Sequence, residues 1–393
     1  MAEVRVRRFV VSPPLPGIPI EPNDVQIVDS GAMELNLADV LRVNALAVPY
    51  RGHLLAELVQ REMALVMSLF GHTPPGVPLR RHRAFDGSSS HIRRFATEVL
   101  ALGALTAVVR DDEPKLSDVA HFDALPPEFQ GVYPSNGTRP DLRFGGQGAV
   151  LAGESRGRSK PPPQHVLTAT AQRKRLDQLL SWSRRPGCDP VSMAWTWMQE
   201  NRTTIDFFRF TEDTSAPATD LAVVHRLEQR LRTTEPAPAS RTDAPSPPSS
   251  GWAAKDHLED EDLYFAAAST PGRAREQTAK QRIISRTVED REAQLLETAP
   301  RQTVPGMGPR WRGQWRNVPT MDGVPGPRLL VAVRPDREVG TTNTADGIRL
   351  HRSRELGLEV SAAGRVLVAL DWRNRPEIEA GAAVQYELKV RGQ

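Results

Sequence analysis

The stretch Arg139–Lys160, RPDLRFGGQGAVLAGESRGRSK, decides how the rest of the chain is read. Asp141 opens a short apolar piece, Leu142 to Phe144, and Gly145-Gly146-Gln147-Gly148 reverses the chain. A second apolar run, Ala149 to Ala152, then delivers Glu154, with Arg156 and Arg158 close behind. Two short apolar runs around a glycine-rich turn predict a β-hairpin. Twelve residues separate Asp141 from Glu154, so the hairpin sets both carboxylates at one sheet edge, beside a guanidinium. A carboxylate pair suits a hard cation such as Mg²⁺, which keeps several of its waters. A cation held there can activate a water and offset charge on a phosphoryl group.

Upstream, Ser88 to Ser90 predict an N-cap for a helix over His91–Val109, with Phe95, Val99, Leu100 and Leu102 for packing and Glu98 in its middle. Downstream, the prolines of SKPPPQ forbid a helix directly after Glu154. A helix follows over Val166–Ser183, with Leu176, Leu179, Leu180 and Trp182 as its apolar side and Gln172, Arg173, Lys174 and Arg175 in its first half. Asp189-Pro190 breaks the chain, and Val191–Met198 and Thr203–Phe210 alternate as strands.

In this order the elements resemble the PD-(D/E)XK nuclease superfamily, the restriction-endonuclease-like fold. In that family a glutamate-bearing helix precedes a hairpin carrying Pro-Asp and then acid-x-Lys, and a further helix and strand complete an αβββαβ core. The matching residues are Glu98, Pro140-Asp141 and Glu154-Ser155-Arg156, followed by the Gln172 helix and the VSMAWTWM strand, over about residues 88–210. The resemblance implies an α/β protein that hydrolyses nucleic-acid phosphodiesters with Mg²⁺ or Mn²⁺, in DNA processing or defence. It implies that Asp141 and Glu154 bind the metal, assisted by the Ser155 carbonyl. Arg156 would stabilise charge and Glu98 would be a secondary acid. Arg158, Lys160, Gln172, Arg173 and Lys174 would face the nucleic acid, DNA being the expected one. The family lysine aligns with Arg156. An arginine can offset charge, but its pKa above about 12 excludes it as a base, so a lysine would have to reach in from position 160 or 174. The competing class is a nuclease fold that binds or scaffolds without cutting.

Two other readings of the same stretch stand beside this one. Gly153-Glu154-Ser155-Arg156-Gly157 fits G-x-S-x-G, which would make Ser155 the nucleophile of a serine hydrolase. That elbow needs a helix immediately after the serine, and Pro161 to Pro163 stand in the way. Asp141 and Glu154 also read as ordinary turn and strand-end acids, with Arg156 pairing one of them.

The remaining sequence bounds these readings. The 393 residues suffice for two or three domains. Six of the 51 basic residues are lysines, leaving forty-five arginines, yet the formal charge is only +3. That permits a nucleic-acid partner without calling for one. The single cysteine, Cys188, excludes an internal disulfide and a cysteine metal cage. Nine histidines with no i, i+4 pair do not suggest zinc. No run is long enough to span a bilayer, and prolines interrupt the N-terminal apolar residues, so a cytoplasmic protein with no membrane partner is expected.

Residues 1–87 read as an extended and helical segment, with one strand at Val4–Val11 and helices at Leu35–Val48 and His53–Phe70. The nuclease-like core covers 88–232, ending in a helix from about Asp220. A Pro/Ser-rich linker follows at 233–251, then a charged helical arm at 252–303, broken near Pro271-Gly272. Residues 304–393 read as a β-rich C-terminal module. Its WRGQW stretch, with Arg310, Arg312 and Arg316, has the makings of a base-stacking platform. The assembly expected is either a homodimer or a complex formed through this module.

Overall fold

The computed structural model describes residues 1–47, 55–70, 77–125, 139–163, 170–185, 187–211, 270–304, 311–319, 326–335 and 357–372, with positions 225, 228, 229 and 231. The architecture is mixed α/β: a seven-stranded mixed sheet clad in helices, and a separate four-stranded antiparallel sheet. The first sheet holds β1 (Ala2–Val11), β2 (Val25–Leu35), β3 (Asp118–His121), β4 (Leu142–Gly146), β5 (Ala149–Arg158), β6 (Val191–Met198) and β7 (Thr203–Phe210), in the order β2-β1-β7-β6-β5-β4-β3. The β1–β7 and β5–β6 pairs are parallel and the others antiparallel.

Strand alternation sorts the side chains into two layers. On β6, Val191, Met193, Trp195 and Trp197 join the core with α5 (Thr170–Ser183) and α6 (Thr270–Thr298). Ala194 and Met198 join the opposite core, with α1 (Leu37–Ala47), α2 (Ala56–Ser68) and α4 (Ser90–Asp112). A one-turn helix, α3 (Arg83–Gly87), precedes α4. The N-cap expected before α4 is Ser89, whose hydroxyl accepts the Ile92 N–H.

The hairpin of β4 and β5 closes through Gln147 and Gly148, both at positive φ (44° and 75°), the two-residue geometry that matches strand twist. On the α4 side, β5 presents Gly157. A Cβ there would lie 2.1 Å from the Thr97 carbonyl oxygen, so α4 sits against the sheet at backbone distance.

The second sheet, β8 (Arg312–Asn317), β9 (Arg328–Val333), β10 (Leu358–Ala363) and β11 (Val366–Asp371), runs in the order β10-β11-β9-β8. Leu329, Val331, Val333, Val366, Val368 and Leu370 pack into the core shared with α1 and α2. Asp39 of α1 ties α4 to the second sheet. It accepts hydrogen bonds from Arg42 (2.7 Å) and from the Ser361 hydroxyl of β10 (2.7 Å), and pairs with Arg110 of α4 (3.1 Å). Burial pushes this carboxyl upward, but Arg42 and Arg110 outweigh it and hold Asp39 well below its ordinary value of 3.8.

Several elements differ from expectation. After β1 the sequence suggests extended chain, whereas Val25–Leu35 forms β2 along β1. Its run Gln26–Ala32 is exposed, so no period-2 apolar pattern marks it. The described part of the charged arm is α6, which starts at Thr270 beside Pro271-Gly272; residues 252–269 lie outside the described residues. Pro271 lies in the first turn of α6, where proline has no intrahelical N–H bond to lose. The arm also packs on the main sheet, burying Ala279, Ile283 and Ile284. The linker, most of the helix from Asp220, and residues 336–356 and 373–393 of the expected β-rich module lie outside the described residues. Among the described residues, no helix is long and apolar enough to cross a membrane.

Two substitutions test this account. Gly157→Ala forces α4 off the sheet and should cost at least ~1–3 kcal/mol in chemical denaturation. For Asp39 the depressed carboxyl contributes stability that is present above pH ~4 and is lost as pH falls. Wild type should therefore exceed Asp39→Asn by roughly 3 kcal/mol at neutral pH, and the gap should close on acidification below pH ~4.

Candidate active site

The candidate site lies where β4 stops and β5 continues. The β4–β5 ladder ends at Leu142 opposite Gly153, yet β5 runs on to Arg158. Pro140 has no N–H to extend β4. Asp141 takes over with its side chain: its N–H donates to the Gly153 carbonyl (2.9 Å), and its Oδ2 accepts both the Ser155 N–H (2.9 Å) and the Ser155 hydroxyl (3.0 Å). Ser155 thus stands mid-strand with its hydroxyl committed to Asp141. No helix begins at Arg156, so no nucleophile elbow is formed.

Glu154 points to the α5 face and is fully buried. Its Oε1 accepts from Arg175 Nε (2.9 Å), is also held by Arg175 Nη2, and pairs with Arg156 Nη2 (2.6 Å). Its Oε2 is buried with no hydrogen-bond partner. Burial first, and then the neighbouring Asp141 carboxylate, raise the Glu154 carboxyl to about 7, against the opposing pull of Arg156 and Arg175. Two adjacent acids, one of them buried, repel each other; Arg156 and Arg175 offset this at Oε1 and leave Oε2 without a partner. The two-carboxylate set, the open Oε2 and the raised carboxyl all fit Mg²⁺ or Mn²⁺. Among the described residues, no group of three or more His, Cys, Asp and Glu is arranged to hold a metal, so any ion here would rely on these two carboxylates, on backbone oxygen and on water.

The other predicted residues scatter by helical and strand period. Gln172 faces inward on α5, one turn before Arg175, and is buried with neither end of its amide hydrogen-bonded. Arg173 is half-buried and reaches Glu21 (3.4 Å), while Lys174 is exposed. Lys160, just past β5, is exposed too. Neither lysine is paired with Asp141 or Glu154; the cations on Glu154 are Arg156 and Arg175. Glu98 sits on the outer side of α4, half-exposed and bonded to Arg94 one turn away (2.7 Å). Arg158 is exposed, near Arg156, Glu98 and Arg94, which makes a basic strip leading off the site.

Two neighbours escape a reading of the sequence. Arg175 is the fourth residue of QRKR, and the i, i+3 spacing from Gln172 is the signal that puts both on the sheet-facing side. His121 ends β3 next to Asp141, whose carbonyl accepts the Phe122 N–H (3.0 Å). Its Nδ1 accepts the Asp123 N–H (3.1 Å), so a neutral ring carries its proton on Nε2. Burial lowers its pKa against the pull of Asp141. No spacing in the sequence marks it. Near the C-terminal sheet, Arg334 stands over the Trp311 ring (5.5 Å) and Arg328 over the Trp315 ring (5.2 Å).

No family model, curated protein or solved structure matches this chain.

The Glu154 shift gives a signed test. Because its carboxyl is raised in the folded state, the stability it contributes is full below pH ~4.5 and is lost as pH rises through about 7. In a chelating buffer, wild type should lose on the order of 3 kcal/mol over that window. Glu154→Gln should not show that loss in denaturant titrations.

Proposed function

We propose that this protein is a metal-dependent nuclease, a hydrolase of nucleic-acid phosphodiester bonds with a restriction-endonuclease-like core, acting on DNA in the cytoplasm. The observation that carries the reading is the Asp141–Glu154 pair at the step between β4 and β5, with Glu154 Oε2 buried and unpartnered. The succession α4, β3, β4, β5, α5, β6 supports it, because it follows the αβββαβ order of that family.

Asp141 and Glu154 would hold Mg²⁺ or Mn²⁺, with the Ser155 carbonyl assisting. The bound ion would supply an activated water and offset phosphoryl charge. The chain's own residues do the rest. Ser155 fixes the Asp141 carboxylate through two donors to Oδ2. Arg175 fixes Glu154 from the α5 side. Arg156 keeps a permanent positive charge at the strand edge, where it offsets charge on a non-bridging phosphate oxygen. Arg158 and Lys160 extend that charge along the nucleic-acid backbone. Lys174 and Arg173 lie on the same helix at its solvent side, and Glu98 stays a peripheral acid that tempers Arg94 and Arg158.

One observation favours a second reading, a nuclease fold that binds nucleic acid without cutting it. Arg156 and Arg175 both stand on Glu154 Oε1, so part of the charge a cation would meet is already neutralised.

Incubation of wild type and Asp141→Ala with single- and double-stranded DNA and RNA, in Mg²⁺ or Mn²⁺, separates the two. Cutting that needs the metal and falls roughly hundredfold or more in the variant is the expected result. Binding without cutting, unchanged by the substitution, would overturn the enzyme in favour of the scaffold.

A further inference from the structure

The last residue of β3, His121, stands opposite Leu142, the residue after Asp141. The Phe122 N–H donates to the Asp141 carbonyl (3.0 Å), so the two backbones are tied together at the acid pair itself. The imidazole is held from the other direction. Its Nδ1 accepts the Asp123 N–H (3.1 Å) and caps the single turn Phe122–Ala124. A ring nitrogen that accepts an N–H bears no hydrogen, so the hydrogen of this ring is on Nε2. While the cap is made, Nε2 cannot ligate a metal. It can only donate.

That donor is unused. Nε2 is hydrogen-bonded to none of the described residues, and the side chain keeps 18% of its surface in water. A cap requires a single acceptor atom, which Asn, Asp or Ser supplies more often, so capping accounts for Nδ1 and leaves Nε2 without a task. The charges that reach the ring are those of Asp141, Arg139 and Arg291. Arg139 is partly exposed and pairs with Asp123, and Arg291 comes from α6. On the β5 side of the acid pair, Arg156 and Arg175 stand on Glu154. On the β3 side, an anion approaching Asp141 would meet the open Nε2–H with two guanidinium groups nearby. A phosphodiester chain brings anionic oxygens to both sides of the phosphorus under attack, and a neutral N–H bonded to such an oxygen is stronger than one bonded to a neutral acceptor.

We propose that His121 donates its Nε2–H to a phosphate oxygen of the nucleic acid on the β3 side of Asp141, so that the backbone crosses the site from Arg156 to His121. The identity of the anion rests on the nuclease reading. The contact itself stands on the side of the site away from Arg158 and Lys160, and it fixes the direction in which the strand lies.

The test measures binding of labelled single-stranded and duplex DNA oligonucleotides, and of RNA of the same sequence, to the full chain in EDTA, and cutting in Mg²⁺ or Mn²⁺. His121→Asn keeps an acceptor near the Nδ1 position, and with it the cap, but places nothing at Nε2. His121→Gln carries its amide out to the Nε2 position. His121→Asn should melt as wild type does, bind roughly tenfold more weakly, and lose at least as much in kcat/KM. At pH ~8 the ring is neutral, so the salt dependence of binding should not change, whereas loss of an arginine contact would flatten it. His121→Gln should recover most of the loss. His82 caps the turn Arg83–Gly87 through the same Nδ1 contact (3.1 Å), and His82→Asn should bind as wild type does. Equal binding by wild type and His121→Asn, an equal loss in His82→Asn, a loss that His121→Gln does not recover, or a wild type that binds neither DNA nor RNA would overturn the proposal. A wild type that binds without cutting, with the His121→Asn loss intact, would overturn the nuclease reading and support the contact.

Discussion

A buried carboxylate on an interior strand fixes the layout of this molecule. Glu154 leaves water completely, and its companions follow from that. An isolated buried carboxylate costs several kcal/mol or more, so Arg175 must come from α5 and Arg156 from the next same-face position of β5. The helix is thereby placed by an ion pair, and Leu176 and Leu179 on the following turn seal it against Ala152 and Val150. The opposite face of the same strand carries two glycines, Gly153 against Phe144 and Leu105 and Gly157 against the Thr97 backbone. One strand therefore carries a charge cluster on one side and a backbone-distance helix contact on the other. That leaves little freedom to move either helix without disturbing the acid pair.

The outlying elements are fastened in the same way. β1 runs parallel to β7 and so cannot be joined to it by a tight turn. The bidentate Arg7–Asp206 pair (2.6 and 2.7 Å) spans them, and Trp197 donates to the same carboxylate (2.8 Å). α6 reaches the sheet after a long excursion of chain, and its Lys280 sits buried between Asp189 (2.8 Å), Glu276 and the Gly187 carbonyl (2.9 Å), while Arg143 of β4 holds the other oxygen of Asp189. Buried ion pairs are weak contributors to net stability because desolvation offsets most of their attraction. What they supply here is position. An apolar helix face could slide along the sheet, whereas a lysine that must meet one aspartate cannot.

The legible parts of the sequence were those where local chemistry and tertiary use agree. GGQG between two apolar runs becomes a two-residue turn, and Ser89 caps α4. VSMAWTWM alternates because both its faces are packed, by layers of different kind. β2 was hidden because a strand exposed on both faces has no apolar period to show. α6 looked like a surface arm because it buries lysine and glutamate along with its few aliphatic residues. At the site, Asp141, Glu154, Ser155 and Arg156 were readable from one continuous stretch. Gln172 was expected to face a nucleic acid with Arg173 and Lys174, but a helix of 3.6 residues per turn puts Gln172 and Arg175 on the buried face and leaves Lys174 exposed. His121 depends on β3 lying beside β4, a pairing across more than twenty residues of chain that no local pattern announces.

Arginine in place of a lysine changes more than the strength of one contact. A guanidinium can neither give up a proton nor take one at working pH, so under the proposed hydrolytic reading the proton released by an attacking water would have to go elsewhere. His121 in its neutral form offers Nε2–H, a donor, because Nδ1 is engaged by the Asp123 N–H. That leaves Glu154 Oε2, buried, unpartnered and belonging to a carboxyl that titrates near 7. Such a group has the affinity for a proton that a general base needs, yet the same lone pairs are those a cation would use. Oε2 can serve one or the other at a given moment. Under the proposed nuclease reading, a cation and that proton would compete for this one oxygen, and the two arginines on Oε1 would weaken the carboxylate's hold on both.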